Sequence, residues 1–470
     1  MADPKMRIRL PGTGPRTTVP YVSKPGLPAV TVSAGQKASV GQYYTDILPA
    51  KEWSIVDDML TVSDSLSFTV ANPDGVNTDK FQIGRRIEAD ISDDNVAGGS
   101  WCRVFTGRVS EIEHASDAQG GSYIRVDAMD LGWHLTSCCA RPLTGTNGIT
   151  LDELIKRLVD PSWGFSQTAL NVVDVKFGNA LNRLLKQGRT GAERAFVPPK
   201  TILPYIQVEP GQTPWSILQQ YCARTGLLIN VGVNGEIILF QPDYTQQPPY
   251  VALEYHASTA PARKRNNLIG RPTKRERLEG IYSESQCWST VVTPLIVQPA
   301  ENRNDPNAQY RFQGYRPDNP LPFYRLKADM DSEAINNTMM RNRAIWRLQM
   351  DAFNAWEYAC EVKGHSSVSQ ATFGPSGGTF WASDSMVSVN DTVHNVVGTY
   401  YVQRVQRSFT MQAGARTKLT LRKPNLLDPS LTAQTGGGGG TFNSAKATAA
   451  PKSTTTVGVG GQVTVIPKVT

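Results

Sequence analysis

Seven basic residues crowd one sixteen-residue stretch, ARKRNNLIGRPTKRER, residues 262–277. Arg263, Lys264, Arg265, Arg271, Lys274, Arg275 and Arg277 stand there against one acid, Glu276. Guanidinium and ammonium groups at this density suit phosphate contact, because each donates charge-assisted hydrogen bonds. They equally suit a solvated loop, or an arm salt-bridged to an acidic neighbour. No aromatic residue interleaves with them, which argues against stacking on single-stranded bases. Other chemistry-bearing residues are scattered. Five histidines (His114, His134, His256, His365 and His394) lie far apart in sequence, and six cysteines (Cys102, Cys138, Cys139, Cys222, Cys287 and Cys360) include no C-x-x-C. That usage reads as reduced, packed thiols. Asp57-Asp58 and Asp93-Asp94 are paired carboxylates, which perform acid–base chemistry only when a fold sets them across a cleft. The chain contains no G-x-S-x-G elbow, no phosphate-binding G-x-x-x-x-G-K-[ST] and no H-E-x-x-H. The expectation is therefore no catalytic residue, no metal, no cofactor and no enzymatic activity.

A chain of 470 residues exceeds what one hydrophobic core serves and predicts several domains. Hydrophobic residues at 40% and charged residues at 19% are ordinary for a globular protein. A net charge of +7 is a mild excess that does not by itself define a nucleic-acid binder. The N-terminal MADPKMRIRLPGTGP has no apolar segment of leader length, and no stretch approaches the ~20 apolar residues that cross a bilayer. The expectation is assembly in a cytoplasm, without membrane anchoring.

The elements that would position these residues are mostly strands. Residues 1–50, rich in Pro, Gly, Thr and Ser, read as an extended N-terminal arm held by a partner. Residues 51–145 alternate apolar and polar positions between turn signals and predict a first β-barrel. Residues 146–245 form an α+β domain. Its first helix has Thr150 as cap, and a second has Thr213 as cap and Pro214 in the first turn. A hairpin follows at Asn234-Gly235. Residues 246–330 are a loop-rich β segment, shared between a second barrel and a small extra domain. Residues 331–427 contain a long helix capped by Ser332 and the rest of that barrel. Residues 428–470, opening near five consecutive glycines, read as a flexible tail whose end, QVTVIPKV, could add as a strand to a neighbour's sheet edge.

A repeat links the two β regions. Residues 107–128, GRVSEIEHASDAQGGSYIRVDA, lie without gaps on residues 400–421, YYVQRVQRSFTMQAGARTKLTL. Val109 falls on Val402, Ile112 on Val405 and Gly121 on Gly414. Two apolar residues three apart interrupt the alternation in both copies, which predicts a β-bulge at the same place in each. The chance similarity of any two hairpins is the competing explanation.

The tracts WSIVDDMLTVSDSLSFTV, FQIGRRIEADI, FTGRVSEIE and VDAMDLGWHL resemble the first barrel of the baseplate hub family of contractile phage tails, which includes Mu-like hub and late control D proteins. PGQTPWSILQQYCARTGLLINVGVNGEIILFQP is similar to that family's middle domain, and VNDTVHNVVGTYYVQRVQRSFTMQAGARTKLTLRKPNLL to its closing barrel. The resemblance spans residues 50–427 and rests on the order of the segments. It implies a mainly β fold with an α+β insert, containing two tail-tube-like β-barrels. It also implies a homotrimer whose six similar modules form a pseudo-sixfold ring between the hexameric tail tube and the trimeric central spike, with wedge proteins around it. The ring would sit in the virion tail of a phage or related contractile injection machine and would pass DNA during genome ejection. On that reading the basic segment could line the channel. The alternatives are a tail-associated cell-wall hydrolase and a tail-tip protein that binds a receptor or glycan.

Overall fold

The computed structural model describes residues 5–11, 44–92, 101–117, most of 121–159, 174–175, most of 206–257, 266–289, 309–313, 323–331, 337–368 and 378–427. Its first β region comprises β1 (Lys5–Pro11), β2 (Tyr44–Pro49), β3 (Glu52–Asp58), β4 (Ser65–Ala71), β5 (Arg86–Ser92), β6 (Cys102–Asp117) and β7 (Gly121–Asp130). The insert holds α1 (Trp133–Ser137), α2 (Leu151–Leu158), β8 (Asp174–Val175), α3 (Pro214–Thr225), β9 (Leu228–Val231) and β10 (Ile237–Phe240). There follow β11 (Leu253–Tyr255), β12 (Leu268–Glu276), β13 (Glu284–Ser289), β14 (Gln309–Gln313), β15 (Leu326–Asp331) and α4 (Asn337–Ala355). The chain then forms β16 (Trp356–Lys363), β17 (Ser366–Val368), β18 (Gly378–Phe380), β19 (Ser385–Asp391), β20 (Val396–Thr410) and β21 (Gly414–Arg422).

Period-two patterning builds both β regions. In β4, Leu66, Phe68 and Val70 are buried opposite Ala128, Val126 and Ile124 of β7. In β16, Tyr358, Cys360 and Val362 are buried opposite Leu421, Leu419 and Thr417 of β21. Each set fills its own core. The bulges fall where the repeat places them. The β6–β7 ladder shifts register between Val109 and Glu111, and the β20–β21 ladder between Val402 and Arg404. Both hairpins turn through a glycine in the left-handed region, Gly121 at φ 79° and Gly414 at φ 69°. A Cβ is disfavoured in that conformation.

Among the described residues the strands of the two modules are joined, and no closed barrel is seen. These strands form one 13-stranded sheet, with main path β12-β16-β21-β20-β3-β4-β7-β6-β5-β1-β2 and with β19 and β11 branching from β20. The reason lies in the 15-residue length of β20. Its first half pairs with β19, and its second half, Arg404–Phe409, pairs with β3. A strand that overhangs its own module must find a partner for the remaining N–H and C=O groups, and here it finds the other module.

Two further differences concern the chain's first half and α4. Part of the expected N-terminal arm is sheet: β1 pairs with β5 and β2 of the same chain, and Met6, Ile8 and Leu10 are buried by simple alternation. Helix α4 starts at Asn337, and the proposed cap Ser332 lies outside the described residues, as does Thr150. In the insert, α2 and α3 bury Leu154, Ile155, Leu158, Leu218 and Tyr221 with Ile229 and Ile237 in one core. The backbone N–H of Ser216 donates to Thr213 Oγ1 at 3.2 Å, which is the anticipated cap. Residues 428–470 lie outside the described residues.

Leu419 is wholly buried at the centre of the second module. Leu419→Ala is expected to cost about 3 kcal/mol through lost contacts and a residual cavity. Urea unfolding of the full chain would register this as a lower midpoint with an unchanged slope.

Candidate functional site

Two features of the sheet stand out: the joint between the modules and the strand edges left open beside it. The joint sets Arg404 opposite Asp58, Gln406 opposite Val56 and Phe409 opposite Trp53. Its other side is polar and closely connected. Arg407, 2% exposed, donates to the Trp381 carbonyl and lies 3.9 Å from Asp57. Ser383 donates to Asp57 at 2.6 Å, and Gln403 Nε2 donates to Asp58 Oδ1 at 3.2 Å. Arg422 donates to the Trp356 carbonyl at 2.7 Å and pairs with Glu357 at 3.4 Å. Asp57 and Asp58 are therefore part of the joint. Asp93-Asp94 lies outside the described residues.

The joint has a histidine at its rim. His365 is fully buried, with Nδ1 3.0 Å from Thr417 Oγ1 and its ring 4.8 Å from that of Trp53. Burial, reinforced by Arg407, pushes it down to about 3, so it is neutral in the folded protein. Below the joint, Asp58, Asp64 and Asp130 gather. Burial raises all three, Asp64 well above the carboxylate range and Asp130 to about 7. None of this forms a metal centre, since no cluster of three or more His, Cys, Asp or Glu suited to a cation occurs among the described residues. The other histidines are dispersed. The His134 ring is tilted against that of Trp133 with centroids 5.2 Å apart, His256 is buried beside Thr392, and His394 pairs with Asp391 at 2.7 Å. Asp391 also accepts from Tyr358 Oη at 2.7 Å and from the backbone N–H groups of Val393 and His394, which identifies it as the residue closing the β19–β20 turn. The six cysteines are free thiols.

The basic segment divides. Arg263, Lys264 and Arg265 lie outside the described residues. Arg271, Lys274 and Arg275 stand on β12, and Arg277 follows it, its backbone N–H donating to the Ala355 carbonyl at 2.7 Å. Lys274 pairs with Glu276 at 3.3 Å and Arg275 with Glu357 at 4.0 Å. These are exposed contacts of small energetic weight. Arg275 also lines a polar groove of about 250 Å³ with Arg404, Gln406, Lys418 and Arg422. Strand β12 pairs only with β16 among the described residues, so none of them pairs with its other edge. The second half of β6, Glu111–Asp117, likewise pairs only with β7 among the described residues.

Arg407, Gln403 and Arg422 were not anticipated as site residues. The available signal was a charge in an apolar register, since Arg407 shares its face with Val405. No helix of the described residues is long and apolar enough to cross a membrane.

No family model matches the chain. No curated protein matches it. Solved structures do. The tail protein from Neisseria meningitidis MC58 superposes with a TM-score of 0.57 at 17% identity, over 90% of this chain and 98% of that one. The 43 kDa tail protein of prophage MuSo2 from Shewanella oneidensis gives 0.55 at 15% identity, over 83% of this chain and 98% of that one. The chain thus shares the fold of these two tail proteins along nearly their whole length.

Protonating His365 requires unfolding or a cost within the fold. Its folded value is depressed below the ordinary ~6.5, so its contribution is intact above pH 6.5 and is lost as pH falls towards 3. Between pH 7 and pH 5, His365→Gln is expected to lose about 2 kcal/mol less stability than the wild-type chain. The buried carboxylates act in the opposite direction and are common to both proteins, so the difference between their pH–stability curves isolates the histidine. Parallel curves would refute the assignment.

Proposed function

We propose that this chain is a structural hub subunit of a contractile phage tail or a related injection machine. Three copies close into a collar in which six similar modules alternate. One side of the collar matches a hexameric tail tube, the other seats a trimeric central spike, and wedge proteins surround it. DNA passes through the collar during ejection. The observation that carries this reading is the bulged hairpin occurring twice in one chain, with its bulge and its left-handed glycine at matching positions. A threefold object needs such internal duplication to meet a sixfold one, because closed rings juxtapose unlike patches on each copy. The likeness in fold to tail proteins supports the reading. The protein's role is mechanical, resting on rigid ladders and apolar packing instead of on a reacting group.

Light scattering of the purified full chain tests the reading. The expected mass is three times that of the 51.4 kDa chain. Particle images should contain a closed collar at the tube–spike boundary. A persistent monomer would refute the trimer. Peptidoglycan turnover abolished by a single carboxylate substitution would replace the mechanical role with a catalytic one.

A further inference from the structure

The joint inside the chain provides a template for a joint between chains. Strand β20 overhangs its module and is met by β3. Its repeat partner β6 overhangs in the same way, but Glu111–Asp117 has no second strand beside it among the described residues. The equivalent of β3 in the second module is β12. Ile55 sits opposite Leu66 and Lys274 opposite Tyr358. Leu66 and Tyr358 in turn sit opposite Ala128 and Leu421, which are matched residues of the repeat. Strand β12 also has an edge that no described strand pairs with.

We propose that β12 of one copy pairs antiparallel with the second half of β6 of the next copy, in the register that β3 adopts on β20. This rests on the collar reading and supplies its subunit contact. The template fixes the opposed residues. Gln406 faces Val56 and Arg404 faces Asp58 within the chain. Replacing each by its counterpart sets Glu113 opposite Arg275 and Glu111 opposite Arg277. Ile112 then falls opposite Glu276, and His114 opposite Lys274.

Two independent observations agree with this register. Glu111, Glu113, Arg275 and Arg277 are all solvent-exposed. Their charges are also complementary across it, although the template alone did not require that. Oppositely charged residues facing each other across a ladder stabilise it, and like charges oppose it. The backbone hydrogen bonds of the two open edges supply the attraction, while the charges select register and partner. The partner is a second copy of this chain, and the basic strip Arg271, Lys274, Arg275 and Arg277 is assigned to that contact in preference to nucleic acid.

Cysteine placement tests the register on the full chain. Directly opposed strand residues have Cβ atoms about 4.5–5.5 Å apart, close enough for a disulfide after small shifts. Glu113→Cys and Arg275→Cys, mixed and gently oxidised, should give a covalent dimer, and peptide mass spectrometry should find 113 joined to 275. The double variant should close into a covalent trimer. Charge reversal gives a second readout: Glu113→Arg or Arg275→Glu alone should weaken assembly about tenfold or more, and their combination should restore most of it. A chain that forms trimers by light scattering yet fails both tests overturns the joint and leaves the collar standing. A chain that stays monomeric overturns both. Cross-links at residues other than this pair also count against the register.

Discussion

The architecture depends on one requirement: the backbone groups of a long strand must be satisfied along its whole length. Strand β20 is longer than any one neighbour, so its edge is shared between β19 and β3. That sharing unites residues 53–58 with residues 404–409 and turns two modules into one sheet. Side chains then fix the geometry. Arg407 is held by a carbonyl and faces Asp57, while Arg422 reaches two backbone carbonyls and Glu357. Buried charges such as these are weak sources of net stability, but breaking one leaves its partner unsatisfied, so they discriminate strongly against alternative registers.

Each of the two bulged hairpins includes a strand that overhangs its neighbours, β6 and β20. Among the described residues only β20 is met by a β3-type strand. The modules differ at their margins. The first adds β1 and β2 in antiparallel pairing, whereas the second adds β11 in parallel pairing with β19. The helices of the insert share one core, while its strands β9 and β10 pack Leu228, Ile238 and Phe240 against Phe353, Met386 and Tyr401, which ties the insert to the second module.

Much of this was legible in the residues themselves. Apolar pairs at Val109/Ile112 and Val402/Val405 marked the bulges, because a break in period two has few other causes. Thr213 announced its helix, because a capping side chain acts on a backbone group three residues away. Local chemistry leaves local signals. The β3–β20 joint left almost none, since its two strands lie nearly 350 residues apart and each looks like any half-buried strand. The expectation of two barrels therefore carried no hint that strands of the two modules pair with each other. The N-terminal strand was obscured for a different reason: KMRIRL alternates cleanly, but it precedes a Pro- and Gly-rich stretch whose composition dominated the reading. The basic segment was visible as charge alone, and its place on a sheet edge comes from tertiary pairing.

The four edge strands also differ in polarity. Inside the chain the acid, Asp58, is on β3 and the base, Arg404, is on β20. On the two edges left unpaired among the described residues the order is inverted, with Arg275 and Arg277 by β12 and Glu111 and Glu113 on β6. Exchanging partners would therefore be penalised twice, carboxylate against carboxylate on one side and guanidinium against guanidinium on the other. Such a sorting rule disfavours strand exchange between neighbours and keeps the two kinds of module in strict succession around any ring they build.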